Sequence, residues 1–395
     1  MREVDFTEKN LRNRWLGVNS IWKMLQGSTK DFVKGRLERA LRQESDRQVG
    51  CGRYERSFGR QGYRNGSYSR DLLTSYGWIE SLTVPRIRQG GLESQILERY
   101  RRRQRQIDRV LLEAFLLGHA TRKTGRAFRG LFGASVSAQT VSNIVHELDD
   151  EVRAFHRREV GDDYRFVYFD GLWVTLSRPV KLRKVLLVAL GIRSDGSKDL
   201  LGFQLAANEG ESCWWGFLSD LKSRGLKANN LEVIVSDGAA GLVKAITALY
   251  PRISHQRCVL HHCRNLEVHL TDKRHLPPIM AQALHIFEAA TETELRRRLH
   301  VFSDRWWPKE TKAIRNFLRG IENCLVYLEY PDPWRTSLKT NNPIERYLEE
   351  IRRRIIPMRH FNNDKSVNRI IYGIIAYVLN NQNQDMLINQ FTHNS

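Results

Sequence analysis

Residues 165–174 read Arg165-Phe-Val-Tyr-Phe-Asp-Gly-Leu-Trp-Val174, an apolar run of the length and composition typical of a buried β-strand. Asp170 lies in the middle of this run, where neither a turn nor a helix cap is expected. A carboxylate buried in a strand needs a partner or a metal, because moving a charge out of water is costly. The run therefore predicts both a core strand and a functional acid.

The segments that follow predict a mixed α/β core. Three strands joined by short turns form a meander, at Phe166–Thr175, Val185–Ile192 and Leu200–Leu205. A helix capped near Ser212 and ended by Gly225 follows, and its expected buried face holds Trp214, Trp215, Leu218 and Leu221. The last three elements are a strand, a helix and a strand, at Leu231–Ser236, Gly241–Tyr250 and Ile253–Val259. The order β-β-β-α-β-α-β is that of an RNase H-like fold, a mixed sheet flanked by helices.

Two further acids fit this fold. Asp237 ends the fourth strand, which lies beside the first strand in the RNase H-like arrangement, and Glu345 opens the helical stretch Asn342-Pro-Ile-Glu-Arg346. Carboxylates are the ligands that Mg²⁺ prefers, and Mn²⁺ can substitute for it. Three such acids can hold a pair of ions that promote in-line displacement at phosphorus. We therefore expect Asp170, Asp237 and Glu345 to be both metal ligands and catalytic residues.

Asp237 and Glu345 also have simpler explanations. Asp237-Gly238 has the form of a turn after a strand. Asn342-Pro-Ile-Glu345 has the form of an N-cap, a first-turn proline and a capping-box glutamate. Capping alone would account for Glu345, so its role stays open at this point.

The charge of the chain indicates a polyanionic partner. The 395 residues include 64 Lys and Arg against 44 Asp and Glu, a net charge of +20, and basic residues cluster at Arg101-Arg-Arg103 and elsewhere. Such a surface attracts nucleic acid. The apolar stretches are too short or too charged for a membrane helix, and the five cysteines form an odd, irregular set. We expect a cytoplasmic protein without a membrane anchor, folded into two or three domains.

Two N-terminal segments are candidates for DNA contact. Between Arg53 and Arg70, aromatic residues alternate with arginines such as Arg64. This pattern indicates either contacts with phosphates and bases, or a loop or small β-element whose rings pack locally. Thr121–Phe132, a Gly turn and a second helix capped by Ser137 outline a helix-turn-helix. Its groove-facing positions would be Gln139, Thr140, Ser142 and Asn143. Any two short helices around a Gly turn give a similar pattern.

Motifs spread over most of the chain resemble the Mutator-type transposases of bacterial insertion sequences, which are DDE recombinases. The motifs are Tyr54-Glu-Arg-Ser, Tyr63-Arg-Asn-Gly, Val84-Pro-Arg, Val136-Ser-Ala-Gln-Thr-Val-Ser142, Tyr168-Phe-Asp-Gly171, Ser236-Asp-Gly-Ala-Ala-Gly-Leu242, Gln256-Arg-Cys-Val-Leu-His261 with Arg264-Asn265, and Asn342-Pro-Ile-Glu-Arg346 with Arg352-Arg-Arg354. The resemblance implies that Asp170, Asp237 and Glu345 are the DDE triad. It also implies that Arg352, two helical turns beyond Glu345, is the basic residue of that helix.

The resemblance assigns supporting roles as well. Cys258 and His261 match the family's cysteine-x-x-histidine motif, for which we favour a structural or DNA-positioning role because zinc normally needs four ligands. Asn342 and Arg346 flank Glu345 and join this supporting set, while Arg101, Arg102, Arg103 and Arg64 join the expected DNA contacts. The helical stretch after His275 resembles the all-helical insertion of related enzymes, with helices expected at Met280–Ala290, Glu292–Phe302 and Lys309–Leu328.

These inferences define five expected regions and one expected activity. The regions are an N-terminal basic DNA-binding part (1–110), a helix-turn-helix (111–160), the first part of the core (161–274), a helical insertion (275–335) and the C-terminal helices of the core (336–395). The expected protein is a bacterial, nucleoid-associated transposase that binds terminal inverted repeats and target DNA as a homodimer. Two alternatives are a metal-dependent, structure-selective nuclease and a DNA-binding regulator derived from a transposase.

Overall fold

A computed structural model describes residues 8–379, apart from residues 56, 89, 99–100, 120–124, 126–127, 130–135, 178–179, 333 and 359–360. The chain divides into two compact units between Val145 and His146. The first helix expected in the helix-turn-helix, Thr121–Phe132, falls largely outside the described residues. No helix in the described part is both long and apolar enough to cross a bilayer.

The first unit combines a long helix with a β-hairpin. Its described helices and strands are α1 (Glu8–Val49), β1 (Arg64–Thr74), β2 (Gly77–Ile87), α2 (Arg105–Leu116) and α3 (Ala138–His146). The strands pair antiparallel around a turn in which Gly77 has a φ of +104°. Leu41 of α1 packs on Leu72, Ile79 and Leu82 of the hairpin. Strand β1 begins at Arg64, so the last part of the Arg53–Arg70 stretch is a β-element, whereas the described residues among 53–63 form no strand.

The second unit is built around one mixed five-stranded sheet. Its strands are β3 (Tyr164–Leu176), β4 (Leu182–Arg193), β5 (Lys198–Ala206), β6 (Val233–Ser236) and β7 (Ser254–Arg257). Their order in the sheet is β5-β4-β3-β6-β7, with an antiparallel meander followed by two parallel strands. This arrangement confirms the expected mixed sheet, in which the first and fourth strands are neighbours.

Helices of the second unit surround this sheet and extend beyond it. They are α4 (Leu148–Arg157), α5 (Glu211–Ser223), α6 (Ala240–Leu249), α7 (Val259–His269), α8 (Leu276–Ile286), α9 (Glu292–Trp306), α10 (Thr311–Leu318), α11 (Trp334–Leu338), α12 (Asn342–Ile355) and α13 (Asp364–Gly373). Short 3₁₀ segments connect several of them, and a π-helical segment, Ile374–Leu379, follows α13.

Strand β3 is buried on both faces, which explains its nearly continuous apolar sequence. On one face, Phe169 makes edge contacts with Trp214 and Phe217 of α5. On the other face, the Phe166 ring lies 5.1 Å from the ring of Trp334. Because side chains alternate along a strand, Asp170 follows Phe166 onto the face covered by α11 and α12.

Two details of the helices differ from the sequence prediction. Trp215 is 44% exposed, whereas Phe217 is buried in the core, because the buried stripe of α5 follows positions three and four residues apart. The N-cap predicted near Ser212 is at Gly210, two residues earlier. The helix expected at Lys309–Leu328 ends at Leu318, since Gly320 turns the chain with a φ of +82°.

Candidate active site

The sheet brings the first two acids of the expected triad together. Strands β3 and β6 are parallel neighbours, and the last pair in their register is Tyr168 with Val235. Asp170 and Asp237 each lie two residues beyond this pair. Neighbouring strands are about 5 Å apart, so the two carboxylates are on the same face at adjacent positions. The topology therefore supplies the proximity that the sequence could only infer.

Asp170 lies in an environment that opposes its ionisation. The pKa of Asp170 is raised to about 7, chiefly by burial and also by the negative charges of Asp237, Glu345 and Glu209, against the opposing effect of the Gly171 hydrogen bond. That bond is donated by the Gly171 N–H to Oδ1 over 2.8 Å. Carboxylates so crowded repel one another, and a bound cation would relieve that repulsion.

Asp237 belongs to a tight turn as well as to the site. The Ala239 N–H donates to its Oδ1 over 2.9 Å, and Gly238 has a φ of +83°. A Cβ atom on Gly238 would lie 2.4 Å from Nε of Arg257, so glycine is required there on two grounds. The turn interpretation is therefore correct for Oδ1. It leaves Oδ2 of Asp237 without a hydrogen-bond donor among the described residues.

Glu345 does not act as a capping residue. Helix α12 begins at Asn342, with Asn341 as its N-cap, and no side chain caps it. Oε1 of Glu345 is buried without a hydrogen-bond partner in the described part of the chain. The capping interpretation is wrong. Nδ1 of His261, also buried without a hydrogen bond, lies 3.6 Å from this oxygen.

The starts of α7 and α12 are joined at this point. The Asn341 N–H donates to Sγ of Cys258 over 3.3 Å, and Nδ2 of Asn341 donates to the Phe169 carbonyl over 3.4 Å. The Val259 N–H donates to the Lys339 carbonyl over 3.1 Å. Burial raises the pKa of the Cys258 thiol, which favours its neutral form. The cysteine-x-x-histidine motif thus fixes the helix that carries Glu345 to β3, one residue before Asp170.

Among the described residues, one group of three ligand-type side chains has all its ligand atoms within 4.8 Å of one another. It consists of Cys258, His261 and Glu345. Asp170 and Asp237 do not form so close a set with Glu345, which is turned toward His261. The sulfur, nitrogen and oxygen of this group suit a softer metal, and they fall one ligand short of a structural zinc site. Oxygen donors suited to Mg²⁺ come from the three acids.

A fourth acid, Glu209, lies at the site and was missed from the sequence. A Cβ on Gly171 would lie 2.7 Å from Oε1 of Glu209, so this carboxylate packs against the residue after Asp170. Burial and the charge of Asp237 raise the pKa of Glu209, against a hydrogen bond from Trp173. Its sequence, Asn208-Glu-Gly210, reads as an ordinary polar loop. Only the return of β5 to the sheet edge brings it beside Asp170.

The remaining supporting residues of α12 are on its exposed side. Arg346, Arg352 and Asn342 are all exposed. Arg353 and Arg354 both pair with Glu350, whereas Arg352 forms no ion pair with any described carboxylate. Of the three consecutive arginines, Arg352 is therefore the one whose charge is available to a ligand. That availability agrees with the role expected for it.

Three of the four N-terminal arginines that were expected to contact DNA form contacts within the protein instead. Arg64 donates to Asp46 and to the carbonyls of Cys51 and Gly52. Arg101 and Arg103 both pair with buried Asp108, at 3.2 and 2.7 Å. Arg102 is exposed and borders a groove of about 790 Å³ along the hairpin. Its position is the most accessible of the four.

Helix α3 presents the polar residues expected to read DNA. Ser137 caps it, as predicted, by accepting the Thr140 N–H over 3.1 Å. Val141, Ile144 and Val145 form its buried side. Gln139 and Asn143 are exposed and bonded to each other over 2.8 Å, and Thr140 and Ser142 are half-buried.

The comparisons with known proteins agree with one another. The family model described as "Transposase, Mutator family" matches residues 7–385. The transposase of insertion element ISRM5 from Rhizobium meliloti is 32% identical over 87% of this chain and 86% of its own length. The transposase of IS256 in transposon Tn4001 from Staphylococcus aureus is 31% identical over 95% of both chains.

Solved structures give a weaker likeness. The catalytic domain of the Mos1 mariner transposase is 13% identical, with a TM-score of 0.19, and the match covers 50% of this chain and 91% of that domain. The simian T-cell lymphotropic virus intasome in complex with the PP2A regulatory subunit B56 gamma matches at 14% identity and a TM-score of 0.17, over 53% of this chain and 64% of the matched chain. TM-scores this low support no conclusion.

Proposed function

Because the chain belongs to the Mutator family of transposases, we propose that it cleaves DNA at the ends of an insertion sequence and joins those ends to new DNA. The observation that carries this proposal is the convergence of Asp170, Asp237 and Glu345. Asp170 and Asp237 lie on adjacent parallel strands, and the charges of Asp237 and Glu345 both raise the pKa of Asp170. Such perturbed groups cluster at catalytic sites.

The three carboxylates fit Mg²⁺. They offer oxygen donors, and Oε1 of Glu345 has no hydrogen bond to lose on binding an ion. Two such ions, when bound, activate the attacking oxygen and stabilise the leaving oxygen of a displacement at phosphorus. For Glu345 to join the two aspartates, its side chain must turn away from His261, and α12 already holds its backbone in place.

The chain's own residues would carry out the remaining tasks. His261 would hold Glu345 in its resting orientation, and Arg352 would contact a DNA phosphate near the acids. Water would first attack the phosphodiester at an element end and free a 3′-hydroxyl. That hydroxyl would then attack a second phosphodiester, so that one bond forms as another breaks and no bond to the enzyme is made. Both steps would use the same three acids.

The other parts of the molecule would supply recognition. Helix α3 and the exposed Arg102 would contact the terminal inverted repeats, and the helices after His275 would form an insertion domain within an RNase H-like core. A homodimer would hold two element ends together on the target DNA. The protein would act at the nucleoid in the bacterial cytoplasm. The support for these statements is the family membership and the basic composition.

A strand-transfer assay tests the proposal. Purified protein, Mg²⁺ and a labelled duplex carrying the terminal repeat are incubated with target DNA, beside the Asp237→Asn variant. We expect joined products from the wild-type chain and none from the variant. Cleavage without joining would favour the nuclease alternative. Binding without either reaction would favour a regulator and would overturn the proposal.

A further inference from the structure

A basic cavity next to Asp237 is not used by the chemistry described above. It has a volume of about 360 Å³ and lies between the β6–α6 turn, β7, α7 and α10. Its walls include Gly238 and Ala240 from the turn, Arg257 from β7 and Arg319 from the end of α10. One wall is therefore the turn that carries Asp237, which makes the cavity a neighbour of the acids.

The two arginines of this cavity are not neutralised by the protein. Arg257 is half-buried, and its side chain makes one hydrogen bond within the described part of the chain, donated from Nε to the Asp237 carbonyl over 3.4 Å. Arg319 is exposed, and neither arginine forms an ion pair with a carboxylate in the described part of the chain. A partly desolvated guanidinium without a carboxylate is unfavourable on its own, so an anion that enters the cavity gains a ready partner.

The surroundings of Arg257 add to the positive potential. Lys244, also on the cavity wall, is partly offset by Glu211 at 3.2 Å. Burial and, to a smaller extent, the charge of Arg257 lower the pKa values of His255 and His262 to about 4, so both rings are neutral near pH 7. The first turn of α6 lies on the same wall, and helix N-termini favour anions.

We propose that this cavity binds a backbone phosphate of the DNA strand that lies in the active site, through Arg257 and Arg319. The inference rests on the proposed function, because it takes DNA as the ligand. Guanidinium groups bind phosphate oxygens through parallel hydrogen bonds, which fix position as well as adding affinity. Since Arg257 also lies over Gly238, a phosphate held there is fixed relative to Asp237. The cavity thus determines which phosphodiester of the DNA strand lies at the three acids.

A double-mutant cycle on DNA binding tests this site. Terminal-repeat duplexes, each with one phosphate replaced by a neutral methylphosphonate near the cleaved bond, are bound to the Asp170→Asn chain, which leaves the DNA intact. At one position we expect the replacement to weaken binding about tenfold. In the Arg319→Gln or Arg257→Gln background, the same replacement should cost less than about threefold, because the phosphate has already lost its partner.

Lys312→Gln provides the matched control. Lys312 is exposed on α10 and does not line the cavity. The Lys312→Gln variant loses one positive charge, as Arg319→Gln does. This variant should keep the full penalty of the methylphosphonate. The proposal would be overturned if the methylphosphonate weakened binding equally in the arginine variants and in the control. It would also be overturned if no phosphate position in the scan affected binding. Because the cycle measures binding alone, it can fail while strand transfer succeeds, and it can succeed while strand transfer fails.

Discussion

At the scale of single residues, Asp170 determines how the stability of the metal-free protein responds to pH. Its pKa rises from 3.8 to about 7 in the folded chain. At a pH between these two values, the folded state therefore keeps a proton on Asp170 that the unfolded state has lost. Stability contributed by this proton is present below pH 4 and is lost as the pH rises toward 7. His255 and His262 act in the opposite direction, because their pKa values fall to about 4 on folding.

Asp170→Asn should separate these opposing effects. In metal-free buffer, the variant should gain roughly 2–4 kcal/mol of unfolding free energy over the wild-type chain between pH 4 and pH 8, because the amide cannot ionise. Denaturant unfolding at several pH values measures this difference. The histidines remain in both chains and cancel. Parallel stability curves for the two chains would contradict the raised pKa.

Glu209 should matter for the metal more than for the fold. It packs against Gly171, next to Asp170 in the chain, and its charge helps to raise the pKa of Asp170. Glu209→Gln keeps the shape and removes the charge, so the Mg²⁺ concentration for half-maximal cleavage should rise about tenfold. Glu211→Gln is the control, because Glu211 is exposed and pairs with Lys244. Equal Mg²⁺ dependence in the two variants would exclude a role for Glu209.

At the scale of elements, the junction between α7, α12 and β3 keeps Glu345 near Asp170. Adjacent asparagines allow a matched test, because Asn341 is fully buried and Asn342 is exposed. Asn341→Ala leaves the Phe169 carbonyl without its donor and should cost about 1–3 kcal/mol of stability. It should also slow cleavage, as α12 loses its fixed start. Asn342→Ala should change stability by less than about 0.5 kcal/mol.

Thermal unfolding and cleavage rates measure both variants. The sequence favoured Asn342 as the supporting residue, and the structure gives Asn341 the contacts. If Asn342→Ala slowed cleavage while Asn341→Ala did not, the exposed residue would act directly on DNA. The junction would then have no part in placing Glu345.

The elements also explain how far the sequence could predict the site. The β3 run, the order of the strands and the α12 start were readable because their patterns are local and periodic. Asp170 and Asp237 could be paired because parallel strands place their ends together. Glu209 was not readable, since its loop has no pattern and its position depends on how β5 returns to the sheet. From the sequence, Trp215 and not Phe217 was assigned to the buried stripe of α5, because both residues are apolar and both lie close to that stripe.

The length of the helix after Lys309 was misjudged for a related reason. Its apolar residues continue beyond Leu318, so the periodicity alone suggests one long helix. Gly320 takes a left-handed conformation that a helix does not use, and the chain then forms two short 3₁₀ turns. A single glycine within a helical pattern is often tolerated, so the sequence could not decide between a helix and a turn.

At the scale of the whole molecule, the excess of basic residues should dominate affinity for DNA. The net charge of +20 is spread over both units, although Arg64, Arg101 and Arg103 are held in internal contacts. Affinity should therefore depend on many exposed cations and not on one arginine cluster. Each phosphate neutralised releases counterions, so affinity falls as salt rises.

Binding of duplex DNA by the full chain should therefore fall about 10³–10⁵-fold between roughly 50 and 200 mM salt, as expected for about six to ten phosphate contacts. Fluorescence anisotropy with a terminal-repeat duplex and with an unrelated duplex measures this slope. The slopes should be similar, since backbone contacts are shared, while the repeat binds more tightly at every salt concentration. Asp237→Asn should leave both slopes nearly unchanged, because Asp237 is a proposed metal ligand and not one of the cations that neutralise DNA phosphates. A slope near −2 on a log–log plot would limit the interface to about two phosphates. The distributed basic surface would then face something other than DNA, and recognition would have to depend on α3 and the active site alone.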